Sequence, residues 1–226
     1  MCGRFALGPP AKSLAEHYRL DVIPDIGPRY NIAPTQDVAT ICRTSPAEGL
    51  ALKMRRWGLV PSWAKDMKIG SKLINARSET VADKPAFRAA LRRRRCLIPA
   101  SGFFEWKRRD GSKQPYYFTL KDGGIMSFAS LWECWKEGGG RVVESCTILT
   151  TGANGLMEPI HSRMPVIVDP SDYNLWLNPA ITDAGHLQPL LAPYPAEKMG
   201  RYPVGSLVNS PQNDDPQCIE PVEESI

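Results

Sequence analysis

The chain has 226 residues, of which 42% are hydrophobic and 23% charged. That is the balance of an ordinary globular protein, long enough for one large domain or two very small ones. No stretch approaches the roughly 18 apolar residues of a membrane helix, and the start lacks the apolar core of a signal peptide, so the expectation is a protein kept inside the cell. The net charge of +4 hides an asymmetry, since residues 1–110 carry +11 and residues 111–226 carry −7. A basic first half suits a polyanionic partner, whose phosphates attract Lys and Arg before any base is read. It equally describes a surface on which the two halves interleave. Six scattered cysteines without a C-x-x-C pair, and three histidines, argue against a zinc site or a disulfide scaffold. Free thiols of a reducing compartment are the expectation.

Ala11–Leu20 has a short helical pattern, with Leu14 and Tyr18 four residues apart. Strand patterns follow at Val38–Arg43 and Leu50–Trp57, then a second helical pattern at Lys84–Arg95 that ends in four arginines. Arg92–Arg95 reads as a solvated helix end. Further strand patterns occupy Gly102–Lys107, Tyr116–Leu120, Ile125–Trp132 and Val142–Thr150. Asp110-Gly111, Asp122-Gly123-Gly124 and Gly138-Gly139-Gly140 lie between them as hairpin turn signals. Pro170–Leu177 predicts a helix with proline near its start and Asp172 in its first turn. The acidic tail from Asn209 reads, on composition, as loosely held. Strands in runs with helices at the margins predict an α+β fold in one domain rather than βαβ repeats.

Sequences for a phosphate-binding P-loop, a dinucleotide glycine motif, a G-x-S-x-G elbow and an H-E-x-x-H helix are all missing. An ATPase, dinucleotide enzyme, esterase or zinc hydrolase built on those motifs is therefore excluded. Four segments carry other chemistry. Met1-Cys2-Gly3-Arg4 is either an accident of the translation start or, after methionine trimming, an N-terminal cysteine with an amine and a thiol on adjacent carbons. Such a 1,2-aminothiol forms a Schiff base with an aldehyde and closes to a thiazolidine, which an internal cysteine cannot do. A cation such as Arg4 would favour the thiolate. Asn75, beside Arg77, is either a polar ligand or a cap or turn residue. Glu105 lies among aromatics in Gly102-Phe103-Phe104-Glu105-Trp106, with alternation placing it on the face of Phe103 and Lys107. It is either a carboxyl of raised pKa, able to donate a proton near neutrality, or an exposed residue paired with Lys107. His161, in His161-Ser162-Arg163-Met164-Pro165, is a proton-transfer group or a surface loop residue.

Together these segments resemble the SRAP family of SOS-response-associated peptidases, or abasic-site-processing proteins. The matching pieces run in order as Cys2-Gly3-Arg4-Phe5, Arg29–Pro34, Trp57–Pro61, Asn75–Glu79, Gly102–Trp106 and His161–Pro165. The resemblance implies an SRAP domain over residues 1–222, with a mainly antiparallel β-barrel-like core, short peripheral helices and a short tail at 223–226. It implies single-stranded DNA containing abasic sites as the partner, joined covalently through Cys2 as a thiazolidine crosslink in the response to DNA damage. Glu105 would catalyse ring opening and proton transfers, His161 would assist Schiff-base formation and reversal, and Asn75 would orient the α-amine of Cys2. Arg4, Arg77 and Arg163 would hold phosphates, with Ser78 and Thr150 in lesser roles, while Trp63 and Trp106 would stack on bases. The expected protein is a monomer without cofactor or metal, in the cytosol or nucleoid of a bacterium or the nucleus of a eukaryote. Two rival readings stay open. One is a cysteine peptidase acting on proteins, and the other is a non-catalytic reader of modified bases.

Overall fold

In the computed structural model, which describes residues 2–43, 48–109, 112–138 and 140–223, the strand patterns resolve into two β-layers. The strands in chain order begin with β1 (Phe5–Leu7), β2 (Arg29–Ile32), β3 (Asp37–Cys42), β4 (Ala51–Trp57), β5 (Asn75–Arg77) and β6 (Arg95–Ala100). They continue with β7 (Gly102–Arg109), β8 (Ser112–Leu120), β9 (Met126–Lys136), β10 (Val142–Gly152), β11 (Arg163–Pro165) and β12 (Met199–Pro203).

Strands β3, β4, β10, β9 and β6 close a ring of pairings, so the expected barrel-like core is present. All pairs in the ring are antiparallel except β4 with β10. Closure leaves no open edge in the ring, and β5 and β11 attach to the long β10. The second layer is an antiparallel sheet in the order β12-β8-β7-β1-β2. Phe5, Phe103 and Phe118 of that sheet share one apolar core with Ile41, Leu97 and Phe128 of the barrel. Phe5 joins the layers directly, packing edge-on to Trp57 at 5.3 Å and Phe128 at 5.8 Å between ring centroids.

The chain passes from barrel to sheet between β6 and β7. Gly102 is required there, because a Cβ would collide with the Phe118 carbonyl oxygen. Pro115 explains why the sequence pattern of β8 starts late, as proline disfavours a strand interior. The strand runs through it because β12 ends opposite Tyr116, and the Pro115 carbonyl accepts from the Val204 amide at 3.1 Å. Of the three turn signals, Asp122-Gly123-Gly124 joins β8 to β9 with Gly123 at a φ of 71°. Asp110-Gly111 and Gly139 lie outside the described residues.

Helix α1 (Ala11–Tyr18) buries Leu14, Ala15 and Tyr18, and α3 (Tyr173–Leu177) follows a 3-10 turn at Pro170–Asp172. The second expected helix is shorter than its pattern: α2 spans Arg88–Arg93 after turns through Lys84–Phe87. The solvated helix end expected of Arg92–Arg95 is corrected for Arg95, which is only 3% exposed and opens β6. Its guanidinium donates to the carbonyls of Leu91, Arg92, Trp176 and Asn178. Carbonyls that α2 and α3 leave without helical partners are thereby satisfied. Arg94 turns to Glu133, with Nη2 donating to Oε2 at 2.6 Å.

The loose tail expected from composition is overturned through Val222. Val208 and Cys218 are fully buried in a second cluster with Phe104 and Tyr117, on the outer face of the sheet. Asn31 Nδ2 donates to the carbonyls of Ser210 at 2.9 Å and Asn213 at 2.6 Å, and the Val222 amide donates to Pro203 at 3.0 Å. Charge pattern alone missed this, because the tail is anchored by backbone carbonyls and by Asp214 against Arg29. No helix among the described residues is long and apolar enough to cross a membrane.

Candidate active site

Cys2 lies three residues before Phe5 opens β1, whose pairing with β2 and β7 holds the chain start in place. The Phe104 amide donates to the Arg4 carbonyl at 2.9 Å, which brings the segment around Cys2 beside Glu105. Asn75 opens β5 opposite Ile148 of β10, and its Nδ2 donates 2.8 Å to the Cys2 carbonyl. Asn75 Oδ1 is buried with no hydrogen-bond partner among the described residues, so an acceptor is left available next to Cys2.

Glu105 takes the inward side of β7 with Phe103, as alternation predicts, and is 5% exposed. The exposed strand position paired with Lys107 is thereby ruled out. Burial raises its carboxyl to about 7, because the charged form loses its water. Cys2 is fully buried, and that burial, followed by the neighbouring Glu105 charge, pushes its thiol up. The expectation that Arg4 favours the thiolate is therefore corrected. The side chain of Arg4 is engaged elsewhere, with Nη1 donating to Asn31 Oδ1 at 2.7 Å and to the Val208 carbonyl at 2.6 Å. Only its backbone amide lowers the thiol, as the smallest of the contributions.

Arg4, Glu105, Trp106, Arg108, Lys113, His161 and Asn209 line one open cleft of about 500 Å³. His161 Nδ1 lies 3.0 Å from the Arg163 amide and 3.2 Å from the Arg163 carbonyl, which aligns the imidazole; the tautomer with its proton on Nδ1, donated to that carbonyl, leaves Nε2 as the accepting nitrogen. Partial burial lowers its pKa, so the ring is a neutral proton acceptor near pH 7. Trp106 is fixed at one end by its Nε1, which donates to Asn209 Oδ1 at 2.7 Å, and its ring lies under the Arg4 guanidinium at 5.8 Å.

The other expected contacts lie off the cleft lining. Arg77 is exposed at the end of β5, and Trp63 is 59% exposed in the loop after β4. Ser78 is 6% exposed and Thr150 is fully buried, so neither presents its side chain to a strand in this conformation. Thr150 instead positions Arg163, whose Nη2 donates to the Thr150 carbonyl at 2.5 Å and hydroxyl at 3.2 Å. Arg163 also forms a bidentate pair with Glu79, at 2.6 Å and 3.0 Å.

Three residues of the cleft escaped the sequence reading. Arg108 shares the outward face of β7 with Phe104 and Trp106, Lys113 is its register partner on β8, and Asn209 anchors Trp106. The alternation that separated Glu105 from Trp106 extends two residues to Arg108, so that signal was present. Asn209 had no local signal, because its role arises from a contact 103 residues away. Among the described residues, no group of three or more His, Cys, Asp and Glu side chains is placed to hold a metal ion.

A buried carboxyl of raised pKa has a stability signature. The folded protein holds its proton up to about pH 7 while the unfolded chain releases it near 4.5, so stability falls as pH rises through that window. Glu105→Gln removes this fall. The gain in unfolding free energy relative to wild type is expected to be larger at pH 8 than at pH 4.5 by a few kcal/mol, on the order of 3. Urea denaturation of both proteins at the two pH values checks it, and an equal difference at both would place the carboxyl in an ordinary solvated state.

The profile of the family described as SOS response associated peptidase (SRAP) matches residues 1–211. Abasic site processing protein YoqW of Bacillus subtilis is 47% identical over 224 residues, covering 97% of this chain and 99% of its own length. Abasic site processing protein HMCES of Gallus gallus is 33% identical over 192 residues, covering 74% of this chain and 56% of its own length. A crystal structure of a protein from Bacteroides thetaiotaomicron superposes with a TM-score of 0.86 at 27% identity, covering 98% of this chain and all of that one. With the profile matched over most of its length and a relative 47% identical over 97% of the chain, the chain belongs to the SRAP family.

Proposed function

We propose that this chain, after removal of Met1, captures the open-chain aldehyde of an abasic site in single-stranded DNA as a thiazolidine at Cys2. The observation that carries the reading is Cys2 packed with Asn75 and a carboxyl of pKa about 7, at the edge of a cleft lined by Arg4, Arg108 and Lys113. The relatives named as abasic site processing proteins support it.

The abasic sugar is mostly a closed hemiacetal, and opening moves a proton from the anomeric hydroxyl to the ring oxygen. Glu105 is suited to relay that proton. Neutral His161 is suited to take the proton of the α-ammonium, and Asn75 Oδ1 to accept from the amine as it attacks the aldehyde carbon. The resulting carbinolamine loses water to an imine, with Glu105 donating the proton to the departing hydroxyl. Glu105 is then a carboxylate beside a thiol that holds its proton tightly. The imine keeps its proton on nitrogen, so Glu105 takes the thiol proton as sulfur adds to the imine carbon, and the ring closes with the nitrogen as a neutral secondary amine. One water is released, and a carboxyl of pKa about 7 can serve both directions. A peptidase of the Cys–His kind attacks through a thiolate, and the raised thiol of Cys2 counts against that mode of attack.

Intact-mass measurement with and without an abasic oligonucleotide tests the reading. The expected result is a protein lacking Met1 that gains the oligonucleotide mass minus one water. Retention of Met1 with no adduct would overturn the reading, and cleavage of denatured casein dependent on Cys2 would favour the peptidase instead.

The exposed Arg77 and the Glu79-bound Arg163 lead to a prediction of opposite signs. Replacing either arginine with Gln should weaken binding to all single strands and flatten log K against log salt by roughly 0.7 per lost contact. Glu79→Gln, which leaves Arg163 without its carboxylate rival, should strengthen binding about two- to fivefold. Fluorescence anisotropy with undamaged oligonucleotide checks both, and unchanged salt slopes in both arginine variants would make these side chains structural.

A further inference from the structure

We propose that the groove beside α2 is a second DNA-backbone site, which engages the strand flanking the one held at the catalytic cleft. The proposal rests on the DNA-binding part of the function above. The groove, of about 370 Å³, is lined by Arg88, Arg92 and Arg93 on one side and by Thr182 and Asp183 on the other. None of these five residues lines the catalytic cleft.

Arg88 and Arg92 are four residues apart on α2, so they share one helix face, and Arg93 follows beside them. All three are exposed, and α2 contains no acidic residue. Among the described residues none of the three guanidinium groups makes an ion pair, whereas Arg94 and Arg95 of the same run are consumed by Glu133 and by helix-end carbonyls. The four-arginine run thus divides into two that build the fold and two that face solvent with Arg88. Unpaired guanidinium groups on one face match the repeating charge of a phosphodiester backbone, whose counterions they displace.

The chain between Arg77 and Arg88 supplies continuity. It folds into successive turns, with the Thr80 amide donating to Arg77, Asp83 and Lys84 to Thr80, and Phe87 and Arg88 to Lys84. A compact segment carrying the exposed cations Arg77 and Lys84 therefore leads directly into α2. Asp83 lies among them, and Asp183 opposes them across the groove. Asp183 Oδ1 accepts from the Gly185 amide at 2.8 Å, and its Oδ2 lies 3.8 Å from His186. The carboxylate weakens the site for an anion, and so supplies a control of opposite sign.

The test measures binding of undamaged single strands of about 8 and about 30 nucleotides by anisotropy, across a salt series. The triple variant Arg88→Gln, Arg92→Gln, Arg93→Gln should bind the long strand at least about tenfold more weakly at low salt, with its salt slope reduced by about 2. The short strand should bind within about twofold of wild type. Asp183→Asn keeps the hydrogen bond to Gly185, and should tighten the long strand alone. Equal losses on both lengths, no loss on either, or weaker long-strand binding in Asp183→Asn would overturn the proposal. Failure of the catalytic reading is separable: wild type would then form no adduct with a short abasic strand, while the length dependence would still report the groove.

Discussion

Cys2→Ser is expected to abolish the denaturant-stable adduct with abasic single-stranded DNA, lowering its yield at least about a hundredfold. The α-amine of the trimmed serine variant can still form an imine, but a hydroxyl is a far poorer nucleophile than a thiol for closing the five-membered ring. Borohydride, which reduces an imine to a stable amine, should recover an adduct with the serine variant. A tag that keeps the Cys2 nitrogen in a peptide bond should abolish both products, because an amide nitrogen does not attack an aldehyde. The serine variant thus separates the thiol's part from the amine's, and the tagged protein tests whether the N-terminus is used at all. A tagged, uncleaved protein that crosslinks at the wild-type rate would end the N-terminal mechanism. The buried thiol gives this prediction a second edge. With its pKa pushed up, Cys2 should react slowly with iodoacetamide at pH 7 in the folded protein. Rapid alkylation would mean a thiolate of the peptidase kind.

The strands were legible because they alternate and are punctuated by glycine turns, and the barrel is a consequence of pairings that no local pattern states. The parallel contact of β4 with β10 joins Arg56 to Ser145 and Trp57 to Cys146 across nearly 90 residues. Local reading failed where side chains serve distant backbone. Arg95 looked like part of a solvated run until two helix ends were found on it, and no local signal marked Asn31 as the residue over which the C-terminal segment folds. At the site, residue type and order marked Cys2, Asn75, Glu105 and His161. Electrostatics could not be read the same way. Arg4 is two residues from Cys2 in sequence, yet its guanidinium is turned toward Asn31 and Val208, so adjacency in sequence implied the wrong sign for the thiol. For Glu105 the aromatic neighbours did imply the right sign, because burial of the strand face and the raised pKa have one cause.

That cause makes Glu105→Gln the second decisive variant. The amide keeps the shape of the side chain but can neither release nor take up the proton that sugar opening, dehydration and sulfur addition each require. General acid–base assistance contributes about 10²–10⁴-fold, so crosslinking with DNA saturating should slow at least tenfold while affinity stays within about twofold. The pH profile supplies the more specific test. An α-amine with pKa near 7.7–8.0 must be neutral to attack, which makes the rate rise with pH. A carboxyl with pKa about 7 must be protonated to donate, which makes the rate fall above that value. Their product is a bell with its maximum between about pH 7 and 8, and its falling limb belongs to Glu105. The glutamine variant should therefore lose rate at every pH and keep only the rising limb. A falling limb that survives in Glu105→Gln would assign the acid to another group. An unchanged rate would confine Glu105 to holding Cys2 in place and move the proton relay to His161, whose lowered pKa predicts a transition below 6.5 instead.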